Sequence, residues 1–299
     1  MRLRHDAAAG GLGLAVLLYD FCDYWLHRVS HECALFWAAH VVHHQSRRFN
    51  LSTALRQESA YALTGWPFFL PMALVGVPPA LFALAGIVVL FYQFWIHTEH
   101  VGALGWLDRW LSTPSNHRVH HATNARYLDR NYGAILVVWD RLFGSFEPES
   151  EPCVYGTTVP LAGWDPLHAV SVNYLDLWHR CRRTRGWRNR LGVLLRSPSW
   201  RPSDDCMSSP AVAPPPDAPV SRARAATAVM LFLLSTAGTG GLLWRADELG
   251  RAAQAAVAAG LVAGLWAIGA VLDSRLSARA AGLVGATSAT ATTLVLLIA

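Results

Sequence analysis

Ten histidines set in four short groups constrain this chain more than any other feature. They are His27 and His31, then His40, His43 and His44, then His97 and His100, then His117, His120 and His121. Residues three and four apart share a face of a helix, so each group predicts a helical stretch that turns two or three imidazoles towards one place. One such pair would read as ordinary polar residues near a surface. Four in one chain point to a common pocket. Imidazole suits iron, copper, zinc and nickel. One ion is satisfied by roughly four to six ligands, and ten imidazoles exceed that sphere, so the pattern predicts two metals without choosing between elements. Bound histidines usually give their second N–H to a carboxylate or carbonyl. Asp23 lies one turn before His27, Glu99 lies inside the third group, and Asp129 and Asp140 follow the fourth, so these acids are the candidates for that role. No catalytic side chain is singled out beyond the histidines. His5, His168 and His179 lie outside the groups and read as surface or structural residues.

The groups fall beside apolar stretches. Of 299 residues, 53% are hydrophobic and 15% charged, against about 25% charged in a soluble domain. The run 7–26 reads as a membrane helix, interrupted near its end by Asp20 and Asp23. Residues 60–96, broken by Pro78 and Pro79, read as a helical hairpin that goes out and returns. The expected organisation is a catalytic region over 1–202 with membrane helices at about 7–26, 60–76 and 79–97. A Ser/Pro-rich linker over 203–222 and a three-helix membrane region over 223–299 follow. Gly260 and Gly264 form a GxxxG in that last region, a spacing that permits close helix packing. The fold class expected is all-α: a multi-pass membrane bundle with a cytoplasmic helical cap holding a dinuclear, histidine-rich site. The net charge of +5 is concentrated in arginines between Arg180 and Arg201. Basic residues beside spans mark the cytoplasmic side and meet anionic headgroups, so the arginines argue for lipid proximity rather than nucleic acid. They place both 27–59 and 98–222 in the cytoplasm, although a single first span puts Arg2 and Arg4 on the opposite side. Trp164, Trp178, Trp187 and Trp200 read as interfacial anchors or as the wall of a pterin pocket. The five cysteines, Cys22, Cys33, Cys153, Cys181 and Cys206, form no CxxC pair and read as free thiols.

HxxxH, then HxxHH, then a later HxxHH, trailed by Asn131-Tyr132-Gly133 and by Trp139-Asp140-Arg141-Leu142-Phe143-Gly144, resembles the fatty acid hydroxylase/sterol desaturase superfamily. Three stretches carry a likeness to its alkylglycerol monooxygenase branch: Asp23 to Gln57, His97-Thr98-Glu99 with Thr113 to His117, and Trp178 to Pro202. The likeness spans about residues 20–202. It implies a non-haem di-iron monooxygenase that uses O2 to place one oxygen atom in a C–H bond of a membrane lipid. In that branch electrons come from tetrahydrobiopterin and the carbon beside an ether oxygen is hydroxylated. The product collapses to an aldehyde and a glycerol. Other branches draw electrons from cytochrome b5 or a ferredoxin. The membrane implied is a bacterial plasma membrane or the endoplasmic reticulum. A sterol or carotenoid hydroxylase or desaturase with the same metals is the alternative within the superfamily, and a metal-binding or transport protein the alternative outside it. Two departures stand out. His100 has no regular counterpart, and relatives carry further membrane helices before the first box, which a homodimer or the C-terminal helices would have to replace.

Overall fold

The computed structural model describes residues 2–202 and 219–298. Most of the expected linker, with Cys206, lies outside the described residues, as do the side chains of His5, Arg2 and Arg4. Among the described residues every regular element is helical, and the β contacts are two isolated bridges, Leu111–Leu136 and Ala122–Tyr155. The chain divides into two units. One comprises Met1–Pro160 and the chain from Asn173; the other comprises Leu161–Val172 and the C-terminal helices.

The first unit is organised on α1 (Arg2–Glu32), followed after Cys33 by α2 (Ala34–His44). Short turns α3 (Leu51–Ala54) and α4 (Tyr61–Thr64) lead to α5 (Trp66–Leu74) and α6 (Pro79–Trp95). The hairpin expected over 60–96 is present, turning at Gly76 (φ 82°) and Pro78. Its first arm is shorter than expected. Gly65 breaks it, and Pro67 and Pro71 each remove a backbone donor, so α5 runs nine residues, about 14 Å at 1.5 Å per residue, well under the roughly 30 Å of hydrocarbon. Both arms pack on α1 through Ala15, Cys22, Leu26, Phe69, Met72 and Ala85. Their outer faces stay apolar: Leu74 is 86% exposed and Phe91 73%. Beyond a short 3-10 turn (Gly105–Arg109) come α7 (Pro114–His121) and α8 (Val138–Phe143). α7 starts where its sequence says it should: Thr113 caps it, Pro114 occupies the first turn, and Thr113 Oγ1 donates to Asp108 Oδ1 at 2.5 Å. The stretch of α9 (Pro166–Arg183) from Asn173 onward and α10 (Trp187–Leu195) complete this part, with Leu177 and Val193 packing on Ala34 and Ala38 of α2. Trp178 and Trp187 are exposed, each beside an arginine (Arg182 and Arg188), whereas Trp200 is half-buried and packs with that α10 cluster.

In the second unit α11 (Arg222–Trp244), α12 (Arg251–Leu272) and α13 (Ala278–Ile298) pack on one another around Leu231, Ala267 and Val271. Gly264 of the GxxxG lets α11 approach: an added Cβ would sit 2.9 Å from Ser235 Oγ. Among the described residues α11 and α12 are long and apolar enough to cross a membrane, with mean hydropathy 1.6 and 2.2 over their best windows, and α6 is apolar but shorter. Contacts of Trp164 and Asp165 tie the segment Leu161–Val172 to these helices. Asp165 accepts from Arg275 at 2.6 Å and Asp273 accepts the Trp164 N–H at 2.6 Å. Cys22, Cys33, Cys153 and Cys181 are free thiols.

Candidate metal centre

Nine of the ten histidines converge in two groups. His27 and His31 from α1, His40 and His44 from α2 and His120 from α7 form one. His43 from α2, His97 just past α6, and His117 and His121 from α7 form the other. Within each group one ring nitrogen per residue lies within 4.8 Å of all the rest. α2 and α7 each serve both groups, since HxxHH places its first and last rings one turn apart and its middle ring a step round the helix. His100 does not join them. α6 ends at Trp95 with Ile96 as its cap, so 97–100 is a turn where helical spacing no longer applies, and the His100 side chain is exposed. His168 and His179 are exposed as well.

The proton positions follow from the partners. A backbone carbonyl can only accept, so a ring nitrogen bonded to one carries the proton. His27 Nδ1 donates to Tyr132 O (2.8 Å), His43 Nδ1 to Arg56 O (3.0 Å), His97 Nδ1 to Gln93 O (2.7 Å) and His120 Nδ1 to Arg130 O (3.0 Å). Burial, reinforced by neighbouring imidazoles, pushes His43, His44, His117, His120 and His121 well below the ordinary value of 6.5, so these rings are neutral at neutral pH. Where Nδ1 holds the proton, as in His27, His43, His97 and His120, Nε2 is then a bare lone pair. His43 Nε2 and His97 Nε2 face each other at 3.2 Å with both protons committed elsewhere. His27 Nε2, His31 Nε2 and His120 Nε2 are buried with no partner. Opposed lone pairs and orphaned acceptors in a dry pocket are unfavourable unless a cation lies between them, and the all-nitrogen donor set fits first-row ions such as iron. The residues therefore fit a pair of metals.

The acids are distributed differently from expectation. Asp129 Oδ1 lies 3.6 Å from His31 Nδ1 and is the one expected acid beside a histidine ring. Asp140, fully buried, acts one step further out: it accepts from Tyr132 N (2.7 Å), Gly133 N (2.8 Å) and Ser145 Oγ (2.7 Å), fixing the loop whose Tyr132 carbonyl holds His27. Asp20 does the same for the next residues, taking Ile135 N, Leu136 N and Trp139 Nε1. Asp23 accepts from Gln93 Nε2 at 2.9 Å, and Glu99 is exposed. Sequence reasoning missed Glu58, whose Oε1 accepts from His40 Nδ1 at 2.6 Å. It also missed Tyr132 as a side chain: the ring is fully buried against His31 (centroids 5.3 Å apart) and its hydroxyl has no partner. On the far side Phe49 stacks over His97 and Tyr155 stacks over Phe49.

Known proteins share this arrangement of sequence. The fatty acid hydroxylase family profile matches residues 12–145. Alkylglycerol monooxygenase of Danio rerio is 46% identical over 189 residues, 63% of this chain and 42% of that protein, and the Homo sapiens protein is 43% identical over 188 residues with the same shares. The ornithine lipid hydroxylase of Rhizobium tropici is 31% identical over 140 residues, 46% of this chain and 42% of that protein. The chain thus spans under half the length of these relatives. No solved structure matches. The segment from residue 12 to residue 145, which matches the fatty acid hydroxylase family profile, supplies all nine converging histidines.

Proposed function

We propose that this chain is a multi-pass membrane, O2-dependent, di-iron monooxygenase that hydroxylates a C–H bond of a membrane lipid, the carbon beside the ether oxygen of an alkylglycerol being the target. The observation that carries the reading is the pair of converging ring-nitrogen sets, with the His43 and His97 Nε2 lone pairs opposed in one group and the Nε2 atoms of His27, His31 and His120 buried without a partner in the other. The likeness to alkylglycerol monooxygenases supports the substrate. His27, His31, His40, His44 and His120 would hold one iron and His43, His97, His117 and His121 the other. The irons, when bound, supply the activation of O2 and the oxidation of the C–H bond. One oxygen atom ends in the alcohol and the other in water. The two electrons come from tetrahydrobiopterin or another external donor, such as a cytochrome b5 or a ferredoxin.

The protein's own part is placement. α1, α5 and α6 present apolar faces along which an alkyl chain can lie, and α1 and α6 end beside His31 and just before His97. The carbonyls of Tyr132, Arg130, Arg56 and Gln93 fix the tautomers and ring planes. Burial of both groups excludes water. The arginines of α9 and α10 favour a cytoplasmic position for this part.

Purified protein assayed for metal and for turnover of an alkylglycerol with reduced pterin and O2 tests the reading. Two iron equivalents per chain and aldehyde release are expected, both lost in His44→Ala. Fewer than two metals, or full retention in that variant, would sink it. Lipid extracts of a producing strain that showed hydroxylated sterol or carotenoid with intact ether lipids would redirect the substrate alone.

A further inference from the structure

His40 differs from its neighbours in what holds it. His27, His43, His97 and His120 each lean on a neutral backbone carbonyl. His40 leans on a carboxylate, Glu58, at 2.6 Å, and the second oxygen of that carboxylate, Oε2, is buried without a hydrogen-bond partner. The carboxylate therefore hydrogen-bonds one ring of the group. Glu58 sits in a strap tied closely to α2. Ser59 N donates to Ala39 O at 3.0 Å, Arg56 Nε to Val42 O at 3.1 Å and Arg56 Nη2 to Gln45 Oε1 at 3.2 Å. The same strap reaches both histidine groups in unlike ways: through Arg56 O it gives a neutral acceptor to His43 of the four-histidine group, and through Glu58 an anion to His40 of the five-histidine group. Asp129, 3.6 Å from His31, adds a second carboxylate on the five-histidine side. An anion on the remote nitrogen makes an imidazole a stronger donor through the other nitrogen.

We propose that Glu58 is a positioning residue that makes the two metal positions unequal, so that through His40 the five-histidine group holds its ion more tightly than the four-histidine group does. The inference rests on the dinuclear reading above. The test is a titration of metal-free, full-length protein in detergent with Co(II), whose visible spectrum reports nitrogen coordination, with bound metal counted per chain. Wild type is expected to bind two equivalents, one tighter than the other. Glu58→Gln keeps an acceptor oxygen for His40 and removes the charge. It should weaken the tighter equivalent by roughly 10- to 100-fold, shift the spectrum of that equivalent and leave the weaker one where it was. Glu58→Ala should weaken the same equivalent at least as much. Asp176→Asn, a 63%-exposed carboxylate on α9, should change neither. Unchanged affinities in both Glu58 variants overturn the proposal, and so does an equal loss at both positions, which would mark the strap as a packing element. A wild-type protein that binds fewer than two equivalents refutes the dinuclear reading itself, before any variant is compared.

Discussion

Gly133→Ala should release metal from the five-histidine group without touching a histidine. A Cβ at residue 133 would lie 2.4 Å from Leu136 O and 2.8 Å from Asp140 Oδ2. Ordinary contact begins at 3.4 Å, so the loop must give by about 1 Å, against a backbone oxygen rather than a flexible side chain. The preceding residue carries the carbonyl that fixes His27, at 2.8 Å. A shift of that size takes the bond to about 3.8 Å, beyond hydrogen-bond range, and leaves His27 Nδ1 unpaired in a dry site. Overpacking costs about 1–3 kcal/mol, and the orphaned donor about 1–3 kcal/mol more. Loss of an outer partner costs roughly 10- to 100-fold in metal affinity. Thermal melting of the metal-free protein and Co(II) titration measure the two effects. Gly102→Ala, with no atom within 4 Å of the added Cβ, should stay within about 0.5 kcal/mol of wild type. If Gly133→Ala melts with wild type and keeps both equivalents, the loop does not govern His27 and the reasoning fails.

Three further outcomes follow from the site. His100→Ala should retain full metal content, because that side chain is exposed outside both groups, whereas His117→Ala should lose metal; elemental analysis of both decides. Metal-free protein should lose stability as pH falls below about 6.5, because histidines such as His44 and His121 are lowered in the folded state, so the unfolded chain binds more protons in that window; a melting temperature that is flat from about pH 7.5 to 5.5 would contradict this. Arg118→Lys keeps the charge but should cost about 1–3 kcal/mol, because Arg118 grips Glu149 through Nε and Nη2 at 2.8 and 2.6 Å while Nη1 holds the Thr98 and Val101 carbonyls. A lysine cannot reproduce that fork, and melting of the metal-free protein reads the loss.

What was legible in the sequence, and what was not, divides along a physical line. Regular spacing carries over into space: HxxxH and HxxHH put their rings on one helical face, and the structure brings those rings together. His97 and His100 obey the same count on paper, but the helix stops at Trp95 and the count stops with it. Partners supplied by the backbone cannot be read at all, since every residue has a carbonyl and nothing in Arg56, Gln93, Arg130 or Tyr132 announces that its own will hold a ring. Glu58 was hidden for a related reason. It lies 18 residues from His40 across turns of irregular path, where no periodicity connects two positions. Asp23 has the right offset from His27, yet its partner is Gln93 on another helix. The contacts that join Leu161–Val172 to the C-terminal helices include an ion pair between residues 110 apart, Asp165 and Arg275.

Because α2 and α7 each feed both pockets, neither helix can be retuned for one ion alone. Turning α2 to bring His43 inward swings His40 and His44 away from the centre of their own group, and His120 is tied to His117 and His121 in the same manner. The independent handles are α1, which serves only the five-histidine pocket, and the stretch holding His97, which serves only the other. An engineer seeking a mixed-metal version of this protein would have to begin at those two places.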